Sequence, residues 1–379
     1  MPSSTSNSKN KLRLPRLFFA APSEIVPRDY ERSIPQLPWR GLTVTVVLIV
    51  IAATTAWELY VRSIGYGPTL NDTEDLWVQM RRQVKPESLV IIGDSRPLFD
   101  LDLDELERGL GKRPIQLSLA GSCVFPILEE LANNEQFHGT LICSIVPGMF
   151  LAPGGPLLET SQKAIDRYHR QTLAQRASQQ LGMVLEENLA FLKQEDLTLE
   201  QLLKRLPIPN RPYAHVPPRF PPYFQTVDRE RRTRMTESCA QPDSPLAKKI
   251  QQIWLPLFTP PPPPTYVPRG IFMENMGKAI EGRFQNIAKA VEKLRSRGGK
   301  IVFVRFPNSG GLKALEDKLN PRARDWERIL KDTNAPGIYW EDHPELSTFV
   351  CPEWSHLSAG DSVEFSKRLV PHLRTALQM

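Results

Sequence analysis

The chain has 379 residues, of which 41% are hydrophobic and 24% charged, with a formal net charge of +6. That apolar share supports a real core and excludes wholesale disorder, and the length fits one large domain or two small ones. Basic residues are spread along the chain, with short concentrations at the N-terminus and at Arg229, Arg231, Arg232 and Arg234. Nucleic-acid binding would gather them on one stripe with stacking aromatics, so it is not expected.

The 36 prolines are about twice the usual share of ~5%, and they must lie in loops or extended segments because proline breaks helices and central strands. Cys123, Cys143, Cys239 and Cys351 contain no CxxC pair, so metal-ligand spacing is absent. They read as small buried core residues, with a Cys123–Cys143 disulfide left open if the domain is exported.

The first element in chain order is a membrane span. No residue from Gly41 to Trp57 is charged, and seventeen helical residues extend ~26 Å, close to the hydrocarbon thickness. Trp39 and Arg40 flank one end and Trp57, Tyr60 and Arg62 the other, as interfacial anchors do. Ala52, Ala53 and Ala56 leave a cleavable signal open, but a signal peptide starts nearer the terminus and has a shorter apolar core. The expected layout is a disordered cytoplasmic tail over residues 1–38, a retained anchor over 39–62 and a folded domain over 63–379. Lys9, Lys11, Arg13, Arg16, Arg28, Arg32 and Arg40 precede the span and few basic residues follow it closely, so the folded domain is expected outside the cytoplasm.

Three apolar runs of strand length follow: Ser88 to Ile92, Pro114 to Ala120 and Thr140 to Val146, each closed by a turn signal. Helical stretches lie between them, from Leu101 to Leu110 and from Val124 to Asn133. Near the C-terminus Met276, Ile280, Phe284, Ile287, Val291 and Leu294 mark an amphipathic helix stopped by Gly298 and Gly299. Lys300 to Phe306 and Gly337 to Trp340 read as two more strands, and Ala359 to Leu377 as a last helix, with Ser358 and Asp361 placed as a capping box. Strands alternating with helices predict a parallel α/β sheet.

Residues 150–270 read as an insertion, helical and polar from Glu159 to Leu206, then rich in proline at 207–222 and in the run Pro260 to Pro264. Proline runs adopt the polyproline II helix and cannot join a sheet, so this part is expected to cover or border the active face.

A serine nucleophile needs a base within reach, an acid to orient that base and donors for an oxyanion. Ser95 follows the first strand at the turn into a helix, where an open α/β sheet places its ligand crevice. A bare helix-capping role is the competing reading for this serine. His356 lies just before the last helix with Glu353 three residues earlier, and Asp342 is a competing carboxylate. Arg96, beside Ser95, reads as pairing with Asp100, with an anionic substrate as the alternative.

On these residues the chain resembles the SGNH/GDSL hydrolase superfamily. The resemblance rests on Gly93-Asp94-Ser95 after the first strand, Gly121 after the second, and Glu353-Trp354-Ser355-His356-Leu357-Ser358 near the end, in that order and separation. It covers roughly residues 86–150 and 270–379. It implies a three-layer, flavodoxin-like parallel sheet, interrupted by the helical, Pro-rich insertion and preceded by the transmembrane helix. It also implies Ser95 as nucleophile, His356 as general base and Glu353 as orienting acid, with the Ser95 and Gly121 amides lining an oxyanion hole. Two positions depart from the family. Its acid is usually aspartate, and its third block supplies an asparagine where this chain reads Val146-Pro147-Gly148-Met149-Phe150. Asn308, after the fourth strand, is the candidate for a substitute donor.

The chain most resembles membrane-anchored members that act on cell-envelope polymers, including those of polysaccharide O-acetylation. The resemblance implies a serine esterase or O-acyltransferase acting on an acylated glycan or lipid, with a multi-pass membrane acyltransferase as a candidate partner. The alternative is an inactive glycan-binding or scaffold module. With no GxGxxG, no Walker sequence and no two histidines at ligand spacing on one helix, no nucleotide or metal cofactor is expected; His138, His169, His215, His343 and His372 read as surface residues.

Overall fold

In the computed structural model, residues 37–204, 206, 221, 223–241, 243–260 and 262–379 are described. The tail reading therefore falls almost wholly outside the described residues, as do His215 and most of the first proline-rich stretch. Contacts divide the chain between Thr54 and Thr55. In the first unit the described residues are the exposed start of the apolar helix Trp39–Ser63. This helix is long and apolar enough to cross a membrane. Its last turns belong to the second unit, where Val61 is buried and Glu58 accepts hydrogen bonds from the Ala190 (3.0 Å) and Phe191 (3.1 Å) amides.

The second unit is built on a five-stranded parallel sheet. Its strands are β1 (Leu89–Ile92), β2 (Ile115–Gln116), β3 (Thr140–Ser144), β6 (Lys300–Arg305) and β7 (Gly337–Tyr339), in the order β2-β1-β3-β6-β7. Strands β4 (Gln225–Val227) and β5 (Thr233–Met235) form a separate antiparallel hairpin inside the insertion. The branched run of β1 is buried at every position, so both faces of the sheet are covered, as unbroken apolar strands require. Helices Leu103–Leu110 and Ala359–Leu377 pack together, as do Phe125–Asn133, Arg269–Arg295 and Trp326–Thr333.

The first, third, fourth and fifth predicted strands lie within the runs that the sequence places. The second is cut to two residues, but the extended chain continues alongside β1, with Leu117 N donating to Ile91 O (2.8 Å) and Leu119 N to Gly93 O (2.9 Å). The last helix keeps its predicted bounds. Its cap is half the expected box: Ser358 Oγ accepts from Asp361 N (3.1 Å), while the Asp361 carboxylate takes the Ser358 hydroxyl (2.8 Å). All four cysteines are buried and free.

The insertion is more ordered than its prolines suggest. It holds the β4–β5 hairpin and the Pro245–Phe258 helix, which Ser244 caps and which carries Pro256 inside it. Met235, Cys239, Ala247, Ile250 and Trp254 from this region form one apolar cluster with Leu98, Phe99 and Leu312. Because Leu98 and Phe99 lie in the short helix right after Ser95, the insertion packs directly against the element that carries that serine.

Candidate active site

From β1 the chain order sends β2 to one side and β3 to the other, so the crossovers diverge at the carboxyl ends of β1 and β3. Open α/β sheets form their ligand crevice at such a point. Gly93-Asp94-Ser95 sits there. A Cβ on Gly93 would lie 2.5 Å from Ser144 Cβ and 2.7 Å from Pro97 Cγ, so only glycine lets β1 end between them. Asp94 is buried and fixes the turn. Its Oδ1 accepts from Arg96 N (2.8 Å) and its Oδ2 from the Ser144 hydroxyl (3.1 Å).

Ser95 stands at the N-cap of the Arg96–Asp100 helix, yet its side chain makes no capping hydrogen bond. Its Oγ instead lies 2.8 Å from His356 Nε2. The other ring nitrogen, Nδ1, is 2.9 Å from Glu353 Oε1. That carboxylate also receives the amides of His356 (2.6 Å) and Ser355 (3.3 Å), and Trp254 Nε1 donates to its Oε2. With donors filling both oxygens of Glu353, Nδ1 is assigned the imidazole proton, which leaves Nε2 to accept from the serine hydroxyl. His356 and Glu353 are 1% and 0% exposed, while Ser95 is only half-buried, so of the three residues the serine alone is partly exposed.

Three features hold this chain of bonds. Phe99 stacks on the His356 ring at 4.2 Å between centroids, and Trp254 meets it edge-on at 5.7 Å. Leu357 N, right after the histidine, donates to Asp100 Oδ1 (2.8 Å), and burial pushes Asp100 well above the usual carboxylate range. The loop after β6 is tied in as well, with Ser309 N donating to Trp354 O (2.9 Å) and Cys351 N to Ser309 Oγ (2.9 Å). Gly310, at φ +55°, brings its would-be Cβ to 2.2 Å from the Trp354 indole nitrogen, so a side chain there would break this junction.

The competing carboxylate is placed elsewhere: Asp342 forms a two-pronged pair with Arg322 (2.6 and 2.7 Å). Arg96 departs from expectation, pairing with Glu316 rather than Asp100. Glu316 also pairs with Arg305 and accepts from Asn308 Nδ2 (3.0 Å). Although burial alone would raise Glu316, the guanidinium groups of Arg96 and Arg305 bring it down to about 2. Asn308 is thus buried with one amide hydrogen engaged by this ion cluster. Gly121 is exposed, with φ +62°. Among the described residues, the Ser95 and Gly121 amides donate to no other backbone group. The end of β3 runs through Val146 into the short Pro147–Phe150 helix, which carries no amide side chain.

Trp254 and Phe99 escaped the sequence reading. The former lies 99 residues before the carboxylate it serves, inside a stretch dominated by prolines. Two histidines taken for isolated surface residues also come together: His343 and His372 have ring centroids 3.9 Å apart.

This arrangement can activate a hydroxyl for attack on an electrophile and shuttle a proton through an oriented imidazole. No protein-family model, curated protein or solved structure matches the chain.

Proposed function

We propose that the chain is a membrane-anchored SGNH-type serine esterase or O-acyltransferase, acting on acyl esters of a cell-envelope glycan or lipid outside the cytoplasm. The observation that carries this reading is the unbroken relay from Ser95 Oγ through His356 to Glu353, in which only the serine is partly exposed. Ser95 Oγ attacks the ester carbonyl carbon as its proton passes to His356 Nε2, and the Glu353 carboxylate stabilises the imidazolium. The Ser95 and Gly121 amides bind the tetrahedral oxyanion. Collapse expels the alcohol, which takes the proton from His356 and leaves an acyl-Ser95. Water or a sugar hydroxyl then gives its proton to His356 and attacks that acyl group, releasing free serine with a carboxylic acid or a new ester. In the transferase form, a multi-pass membrane acyltransferase is the expected partner, delivering acyl groups to the exported domain. The basic residues before the apolar helix support the outward orientation.

A second reading, an inactive module that binds a glycan or braces a membrane complex, draws on one observation. No asparagine side chain follows β3, and Asn308 Nδ2 is engaged by Glu316. Incubating the detergent-solubilised full chain with p-nitrophenyl acetate, then mapping acetyl adducts by peptide mass spectrometry, separates the two. The enzyme reading expects nitrophenol release above buffer and an adduct on the peptide containing Ser95. Release no faster than buffer, with Ser95 unmodified, favours the inactive module.

A further inference from the structure

We propose that His343, Glu345 and His372 form a binding site for a divalent transition metal, suited to Zn²⁺. One ligand atom from each of the three lies within 4.8 Å of the others. Two imidazoles and a carboxylate, with a fourth position open to solvent, form a donor set that Zn²⁺ takes in tetrahedral geometry. Such mixed nitrogen and oxygen donors exclude Mg²⁺ and Ca²⁺ as preferred occupants, since these favour all-oxygen shells.

The scaffold under these side chains is fixed. The residue between His343 and Glu345 is Pro344, and the amides of Leu346 (2.8 Å) and Ser347 (2.9 Å) both donate to His343 O. Arg368 Nη1 holds the Glu345 carbonyl at 3.0 Å, and His372 stands one turn further along the same helix. Arg322 clamps Asp342, next to His343. Glu345 Oε1 lies 2.6 Å from His372 Nε2. Ligands ~2.1 Å from a tetrahedral ion sit ~3.4 Å from one another, so the pair must open by less than ~1 Å on binding. The Glu345 side chain is 45% exposed and has room to make that move.

The metal would fasten the segment after β7 to the last helix, and that segment leads straight into Cys351–His356. Its effect is therefore expected on stability. No histidine pair at helical spacing announces the site, because His343 lies in a loop and His372 on a helix.

The test uses the full chain, purified without a histidine tag in detergent, stripped with EDTA and titrated with Zn²⁺ by calorimetry. The expected result is one ion per chain, a higher melting temperature with Zn²⁺, and no comparable response to Mg²⁺. His343→Ala and His372→Ala should each weaken binding by roughly 100-fold or more, since even residues that merely orient a metal ligand cost about 10- to 100-fold. Glu345→Gln, which keeps the shape of the side chain, should weaken it by about 10-fold or more. Melting the metal-free variants separates ligand loss from misfolding. Absence of binding by the wild-type chain, or one-to-one binding retained in the folded His343→Ala/His372→Ala double variant, overturns the proposal.

Discussion

On one side of Ser95, the hydrogen bonds run unbroken into the interior, and both Glu353 oxygens are occupied by donors. On the other side, β3 runs on into Val146 and Pro147, and the amide side chain expected as a substitute donor, Asn308, is engaged by a buried ion cluster. The acid–base half of the candidate site is thus assembled from side chains, whereas for its anion-binding half we propose the backbone amides of Ser95 and Gly121. Backbone donors come with the turn geometry itself, so a chain can lack the usual side-chain donor and still bind an oxyanion. The contrast predicts that substitutions will be costly to chemistry on the first side and costly mainly to folding on the second.

The largest effect is expected at Glu353. Glu353→Gln keeps the shape but offers Nδ1 of His356 a different hydrogen-bond pattern, and turnover of an activated ester should fall by about 10⁴-fold, as with comparable acid-to-amide changes in serine triads. A fall of less than about tenfold would mean that this carboxylate does not orient the base. Next comes Trp254→Phe. It removes the indole donor to Glu353 while keeping most of the packing, and a lost hydrogen bond to a charged group is worth about 1.5–3 kcal/mol. We expect kcat/KM to drop by about 10- to 100-fold with KM little changed; unchanged kcat/KM would leave Trp254 as packing alone.

Asn308→Ala sharpens the comparison from the other side. Removing an oxyanion donor costs about 10²–10³ in kcat, whereas removing a brace on Glu316 lowers the melting temperature and leaves kcat within about tenfold. The second outcome is the expected one, and steady-state kinetics beside a thermal melt decide it. The smallest effect belongs to the ion cluster itself. Glu316 stands at about 2 against an ordinary 4.5. A depressed folded value means that its stabilisation is complete above the ordinary value and is lost as pH falls from about 4.5 to about 2. Melting temperatures measured across that window should fall less steeply for Glu316→Gln, although the variant is less stable at neutral pH with Arg96 and Arg305 left unpaired. Equal slopes would remove Glu316 from the account of acid stability.

How much of this was legible in the sequence follows the same division. The strands β1, β3 and β6 announce themselves as apolar runs closed by turn residues, because a strand buried on both faces tolerates little else, whereas the edge strand β7 shows only a short run. Ser95 and His356 are 261 residues apart, but each sits in a short distinctive block at a strand or helix junction. The insertion was harder. Its prolines conceal a hairpin and a helix, and nothing local marks Trp254 as a partner of Glu353, since that contact exists only once the helix has packed onto Leu98 and Phe99. Arg96 illustrates the same limit: Asp100 is its neighbour in sequence, yet the fold gives it Glu316 from 220 residues away.

The most direct test is labelling of the detergent-solubilised full chain with a fluorophosphonate probe, which requires a serine oxygen activated by an adjacent base. The account predicts rapid labelling of the wild-type chain, none of Ser95→Ala, and strongly slowed labelling of His356→Ala, with all three proteins melting cooperatively. Equal labelling of wild type and Ser95→Ala, or none of the folded wild-type chain, would contradict it.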